Sequence, residues 1–210
     1  MKTIFFVRHG ESVGNKNGLI CGTHDSILTE TGRAQANLVG KFLKTVGIDR
    51  IISSDLLRAK ETAEIINQYL DAPISFDPRI RERACGIFDG RQYTEVNGHA
   101  EWEPFLAKHD HKVEGGESLD EVFQRSSEFL KDLVSTDKTE KVLLSSHGGI
   151  LWVMVPFILG YSIREHKGTI GMDNCGISVF SWNGEFALER LNCTKHLGDF
   201  ADIKQSWRFE

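Results

Sequence analysis

The 210-residue chain is 40% hydrophobic and 26% charged, which is enough for one well-buried domain and short for two. Its net charge of -5 argues against a nucleic-acid or anionic-membrane partner, so any anion site has to be built locally. Cys21, Cys85, Cys175 and Cys193 show no C-x-x-C spacing, which excludes the familiar zinc and disulfide frameworks and leaves packed, reduced thiols in a cytoplasmic protein. The longest apolar run, Ile150 to Leu159, is too short to span a bilayer, and no signal-peptide core is present.

The first predicted strand, Ile4-Phe5-Phe6-Val7, ends in Arg8-His9-Gly10-Glu11. An apolar strand delivering a cation, an imidazole and a glycine at its C-terminal tip is the usual geometry of a ligand site in an open α/β sheet. His9 is the candidate nucleophile, because imidazole can carry a phosphoryl group covalently and split one hard displacement into two. Arg8 would hold phosphate oxygens through its planar fork, with Gly10 keeping bulk away from the anion.

Residues 14–25 read as a loop over the site. Asn15 could offer its amide to a phosphate oxygen, and Gly22 and Thr23 could offer N–H groups or a hydroxyl, although each also suits an ordinary turn. Thr29 or Thr31 then caps a helix whose apolar positions Leu38, Val39, Phe42, Leu43 and Val46 share one face, with Gly47 as its stop. A short strand from Arg50 to Ser54 follows, and Asp55 reads as the N-cap of a helix through Leu70 with Ala59, Thr62, Ala63, Ile66 and Leu70 buried. Arg58 falls in the first turn of that helix, against the helix dipole, and this mismatch favours a role in anion binding.

Beyond two prolines comes Arg79-Ile80-Arg81-Glu82-Arg83. Among three arginines Glu82 reads first as a salt-bridged carboxylate. As a general acid it would need burial or a nearby dianion to stay protonated, and spacing alone leaves Glu11 and Glu117 equally open. The stretch from about 91 to 116 is irregular and carries Tyr93, Trp102, Phe105, His99, His109 and His111. It reads as an insertion in the single domain that shapes the substrate pocket, and His109-Asp110-His111 lacks the further ligands a metal needs.

Ser118 and Glu121 form a capping box ahead of a helical stripe of Leu119, Val122, Phe123, Ser126, Phe129, Leu130 and Leu133. A buried strand, Val142 to Ser145, leads into Ser146-His147-Gly148-Gly149 and an apolar helix from Ile150 to Leu159. His147 therefore repeats the placement of His9. A hairpin closes the pattern, with strands Ile177–Trp182 and Phe186–Leu191 around Asn183-Gly184. His196 reads as a structural histidine, and the polar tail from Phe200 as poorly ordered.

Strands alternating with helices imply a three-layer α/β/α fold with a mainly parallel sheet covered on both faces. Its strand ends would bring Arg8, His9, Arg58 and His147 to one rim. Two guanidiniums and two imidazoles suit phosphoryl transfer, which depends on positioning and on stabilising charge over equatorial oxygens.

Motifs spread over nearly the whole chain resemble the histidine phosphatase superfamily, on its phosphoglycerate mutase-like branch. They are Arg8-His9-Gly10-Glu11-Ser12 with Asn15, Leu28-Thr29-Glu30-Thr31-Gly32 with Gln35-Ala36, Ser54-Asp55-Leu56-Leu57-Arg58 with Thr62-Ala63, Gly115-Gly116-Glu117-Ser118, and Ser146-His147-Gly148. The resemblance implies that His9 is phosphorylated, that Arg8, Arg58 and His147 bind the phosphoryl oxygens with help from Asn15, and that Glu82 donates the proton. Gly148 joins Gly22 and Thr23 among the residues expected around the phosphate. It implies no metal and no cofactor.

The chain departs from mutases of that branch. It has no Arg-Arg pair between 91 and 113 and no tryptophan near Thr23. These departures favour hydrolysis of small phosphorylated metabolites over phosphoglycerate isomerisation, which stays as the alternative, with a non-catalytic phospho-ligand sensor behind it. The partners expected are a small-molecule substrate and no nucleic acid or membrane, with a homodimer as the assembly considered.

Overall fold

A computed structural model describes residues 1–166 and 170–200. Six strands form one sheet in the order β3-β2-β4-β1-β5-β6: β1 (Lys2–Arg8), β2 (Arg50–Ser53), β3 (Ile74–Phe76), β4 (Lys141–Ser146), β5 (Ile177–Trp182) and β6 (Phe186–Cys193). The first four in chain order run parallel, whereas β5 pairs antiparallel with β1 and carries β6 as a hairpin. The sheet is thus mainly parallel, with an antiparallel edge.

The continuous apolar run of β1 follows from burial on both sides. Ile4 and Phe6 join Ile52, Leu144 and Phe180 in a core beneath α6 (Leu119–Thr136) and α7 (Gly148–Leu159). Val7 joins Ile51, Leu143 and Ile177 in a second core beneath α2 (Glu30–Leu43) and α3 (Leu57–Leu70). Successive residues of a strand point to opposite faces, so one short strand seeds both layers.

Register then sets the site. Thr3 to Arg8 of β1 lie opposite Lys141 to Ser146 of β4, and Ser53 of β2 lies opposite Ser145. His9 and His147 are each the next residue after a paired Arg8 and Ser146, and Ser54 comes level with Ser146, one residue short of His147. The His9 N–H donates to the Ser146 carbonyl at 2.9 Å, which locks this alignment one residue past the strands.

Several local expectations are revised. The loop after His9 contains a one-turn helix, α1 (Val13–Lys16), closed by a capping box between Ser12 and Asn15. Asp55 is not the cap of α3: Leu56 holds that position without a side-chain bond, and Asp55 pairs instead with Arg81. Phe42 is 53% exposed, stacked beside His196 with ring centroids 5.3 Å apart. Thr29, rather than Thr31, caps α2, accepting from the Gly32 N–H at 3.0 Å.

The 91–116 stretch holds two short helices, α4 (Tyr93–Val96) and α5 (Trp102–Ala107). It is less irregular than its sequence suggests. Val96, Trp102, Phe105 and Val113 form a separate apolar cluster with Ile20 and Phe88. Residues 201–210 of the polar tail lie outside the described residues. No described helix is long and apolar enough to cross a membrane.

Candidate active site

The strand tips bring Arg8, His9 and His147 together, and the first turn of α3 adds Arg58. All four are buried, at 4%, 3%, 0% and 1% exposure. The two imidazole rings lie 5.2 Å apart. His9 Nδ1 sits 2.8 Å from the Gly10 carbonyl, and its Nε2 lies 3.2 Å from Arg58 Nε. A carbonyl can only accept, so Nδ1 carries the hydrogen. Nε2 therefore keeps its lone pair, which now accepts from Arg58. This is the tautomer a nucleophile needs.

Burial, followed by the charges of Arg58 and Arg8, pushes the pKa of His9 well below its ordinary 6.5. Burial and Arg58, then His9 and Arg8, do the same to His147. Both rings are neutral near pH 7, since the cations around them disfavour a third charge.

Arg58 is a buried guanidinium whose other donors go to backbone, Nη2 to the Gly22 carbonyl at 2.8 Å and Nη1 to that of His24 at 3.1 Å. Among the described residues no carboxylate reaches ion-pair distance of it. A buried charge without a counter-charge is costly, and an incoming phosphoryl dianion would supply one. Arg8 donates from Nη1 to the Met172 carbonyl, which ties the β1 tip to the segment before β5.

Glu82 makes no ion pair with its neighbouring arginines. Arg79 binds Asp77 and Asp132, Arg81 binds Asp55, and Arg83 donates to the carbonyls of Glu117 and His111. The Glu82 carboxylate instead accepts from the Gly149 N–H at 3.1 Å and the Arg83 N–H at 3.0 Å, beside the first turn of α7 that follows His147. The competing acids are occupied elsewhere. Glu11 accepts from Thr29 Oγ1, and Glu117 is held bidentate by Arg125 at 2.8 and 2.9 Å. Burial alone would raise the Glu117 pKa, but Arg125 and the Ala84 N–H outweigh it and keep the pKa below the usual range.

Asn15 uses its Oδ1 to accept from the Ser12 N–H at 3.2 Å and from Asn174 Nδ2 at 3.3 Å, which leaves its amide N–H groups for a ligand. Gly22 lends its carbonyl to Arg58. Both donors of Thr23, N–H and Oγ1, are committed to Asp89 Oδ2 at 3.2 and 2.8 Å. Thr23 thus secures the loop instead of offering free donors. Gly10 also has a different reason from the one its sequence suggested: a Cβ there would meet the Gly32 carbonyl oxygen at 2.5 Å. A Cβ at Gly148 would meet Met172 at 3.5 Å and Arg8 at 3.6 Å, ordinary contact distances.

Three residues escaped the sequence reading. Asn174, fully buried, donates to the His9 carbonyl at 2.9 Å as well as to Asn15. Asp89 braces the loop that holds Arg58. Gly149 makes room for Glu82, since a Cβ at 149 would lie 2.3 Å from Glu82 Oε1. Only the repeated glycine after His147 hinted at the last of these.

The fold and site together define an α/β protein whose paired imidazoles and buried guanidiniums form a receptor for a phosphoryl group. Residues 4–194 match the histidine phosphatase superfamily (branch 1), and the chain belongs to that superfamily as one of its enzymes. It is 35% identical over 181 residues to "Probable phosphoglycerate mutase GpmB" of Erwinia tasmaniensis, covering 85% of this chain and 84% of that one. A protein of the same name from Salmonella paratyphi B is 38% identical with the same coverage. Among solved structures, Bacillus stearothermophilus YhfR superposes with a TM-score of 0.85 at 28% identity, over 94% of this chain and all of that one. A mycobacterial glucosyl-3-phosphoglycerate phosphatase complexed with VO3 shares the fold, with a TM-score of 0.83 at 23% identity over 92% of this chain and all of that one.

Proposed function

We propose that this enzyme hydrolyses phosphomonoesters of small metabolites through a phosphohistidine at His9. The observation that carries the reading is the lone pair of a neutral, buried His9 Nε2 held among Arg8, Arg58 and His147. In the first step Nε2 attacks phosphorus in line, the P–O bond to the leaving group breaks, and Glu82 transfers its proton to the departing alkoxide. In the second step the Glu82 carboxylate takes a proton from water, the new P–O bond forms as P–N breaks, and inorganic phosphate leaves with His9 restored. Arg8, Arg58, His147 and Asn15 hold the equatorial oxygens while charge spreads over them.

The guanidiniums supply the charge stabilisation that a Lewis acid would otherwise provide, so the reading includes no metal. The surround of α4 and α5, built on apolar and aromatic contacts, forms part of the pocket wall and selects the leaving group.

Phosphoglycerate mutase activity is the second reading, favoured by the names of the 35–38% identical relatives. A mutase needs cations for the substrate carboxylate. Of the cations around α5, two are already engaged: Arg83 lies over the Phe105 ring, 3.5 Å from its centroid, and donates to carbonyls. Lys112 is paired with Glu121.

Turnover of an aryl phosphate in excess chelator tests the main reading, with acid-labile, base-stable label trapped on His9 as the expected result. Incubation with 3-phosphoglycerate and a trace of the bisphosphate separates the alternatives. Isomerisation without free phosphate would establish the mutase, and phosphate binding without any turnover would establish a sensor.

A further inference from the structure

Ser54 directly follows β2, one residue short of His147 in register, and both are fully buried. Its Oγ accepts from the Leu56 N–H at 3.3 Å and lies 2.8 Å from His147 Nε2. Among the described residues these are its only side-chain partners. The Leu56 N–H can only donate, so the serine hydroxyl hydrogen has one acceptor within reach, His147 Nε2. That nitrogen is then bare, and the imidazole hydrogen sits on Nδ1.

His147 Nδ1 is buried and has no partner among the described residues, on a ring tilted 5.2 Å from His9. We infer that Ser54 is a positioning residue that fixes His147 in its Nδ1–H tautomer, so that a neutral imidazole presents a donor to the phosphoryl group. The opposite tautomer would leave a buried hydroxyl hydrogen without an acceptor. It would also aim a lone pair at anionic oxygens. Both histidines thereby carry hydrogen on Nδ1 for opposite purposes: His9 spends it on Gly10 to free Nε2 for attack, and His147 keeps it for the ligand. The consequence for phosphate rests on the proposed phosphatase reading, whereas the tautomer does not.

The test is nitrogen-15 NMR of the histidine rings in the full chain near neutral pH without phosphate, with His147 assigned by the loss of its signals in His147→Gln. The expected wild-type pattern is a protonated, pyrrole-like Nδ1 and a pyridine-like Nε2. Ser54→Thr retains that pattern. Ser54→Ala loses it, and its affinity for inorganic phosphate by calorimetry falls about tenfold, as for one lost hydrogen bond. A wild-type His147 with its proton on Nε2 overturns the inference, and so does a Ser54→Ala protein that keeps the wild-type pattern. If Ser54→Ala does not fold, the wild-type spectrum still decides. The expected tautomer in a protein that turns over no phosphomonoester would refute the phosphatase reading while leaving the role of Ser54 intact.

Discussion

The carboxylate of Glu82 occupies the space that a side chain at Gly149 would fill, with Oε1 only 2.3 Å from where a Cβ would stand. Gly149 also donates its N–H to that carboxylate. Gly149→Ala is therefore expected to displace the acid while leaving His9 and the guanidiniums in place. Activity on alkyl phosphates, whose leaving groups need a proton, should fall ~10²-fold or more. Activity on an aryl phosphate with a good leaving group should fall far less. Glu82→Gln should show the same split, and steady-state kinetics on the two substrate types checks both.

Replacing His9 by Ala removes the covalent route. Turnover should fall at least ~10³-fold on every substrate regardless of leaving group, and the phosphohistidine label should vanish. The contrast with the Glu82 variant is the informative part, because it separates loss of the nucleophile from loss of the acid.

The depressed pKa values of His9 and His147 give a pH dependence of definite sign. Both rings are neutral in the folded enzyme near pH 6.5 and below, down to their lowered pKa, whereas in the unfolded chain they titrate at 6.5. Between the two the unfolded state binds more protons, so stability rises with pH there and is lost as pH falls below about 6.5. Asp137 acts in the same sense further down. Burial would raise its pKa, but its bonds to Thr139 and Lys2 lower it from 3.8 to about 2, so its contribution disappears across that interval. Urea titrations from neutrality to pH 4 should show the first decline. The acid limb of kcat/KM should lie below pH 6.5.

Asp89 reaches phosphate only through others: it holds Thr23, and the adjoining carbonyls of Gly22 and His24 hold Arg58. Asp89→Ala should free that loop and raise KM and the inhibition constant for phosphate by about tenfold or more, since hydrogen bonds to charged groups contribute roughly 1.5–3 kcal/mol. The reduction in kcat should be smaller. Inhibition by inorganic phosphate gives the cleanest measurement.

Strand tips were the most legible part of this protein. An unbroken apolar strand that ends in a cation and an imidazole can hardly do anything but deliver them to a rim, and the same reasoning held for β4 and His147. The α3 cap was not legible, because Asp55 has the right chemistry for capping but finds Arg81 across the fold. Phe42 followed the helical period yet came to lie at the surface beside His196, a contact between residues far apart in sequence. The same is true of Asn174 and Asp89, whose importance depends on neighbours more than sixty residues away. Glu82 was obscured by its own neighbourhood, since three adjacent arginines suggest ion pairing until each is seen to have a different partner.

Arg58, a buried guanidinium with no carboxylate at ion-pair distance among the described residues, has a consequence for the life of the enzyme in a cell. Inorganic phosphate, the end product, relieves the same electrostatic burden that the substrate does. A surplus of it should make the folded chain harder to melt, by mass action, and slower to turn over. Durability and throughput are thus coupled in opposite directions by the supply of a single ion.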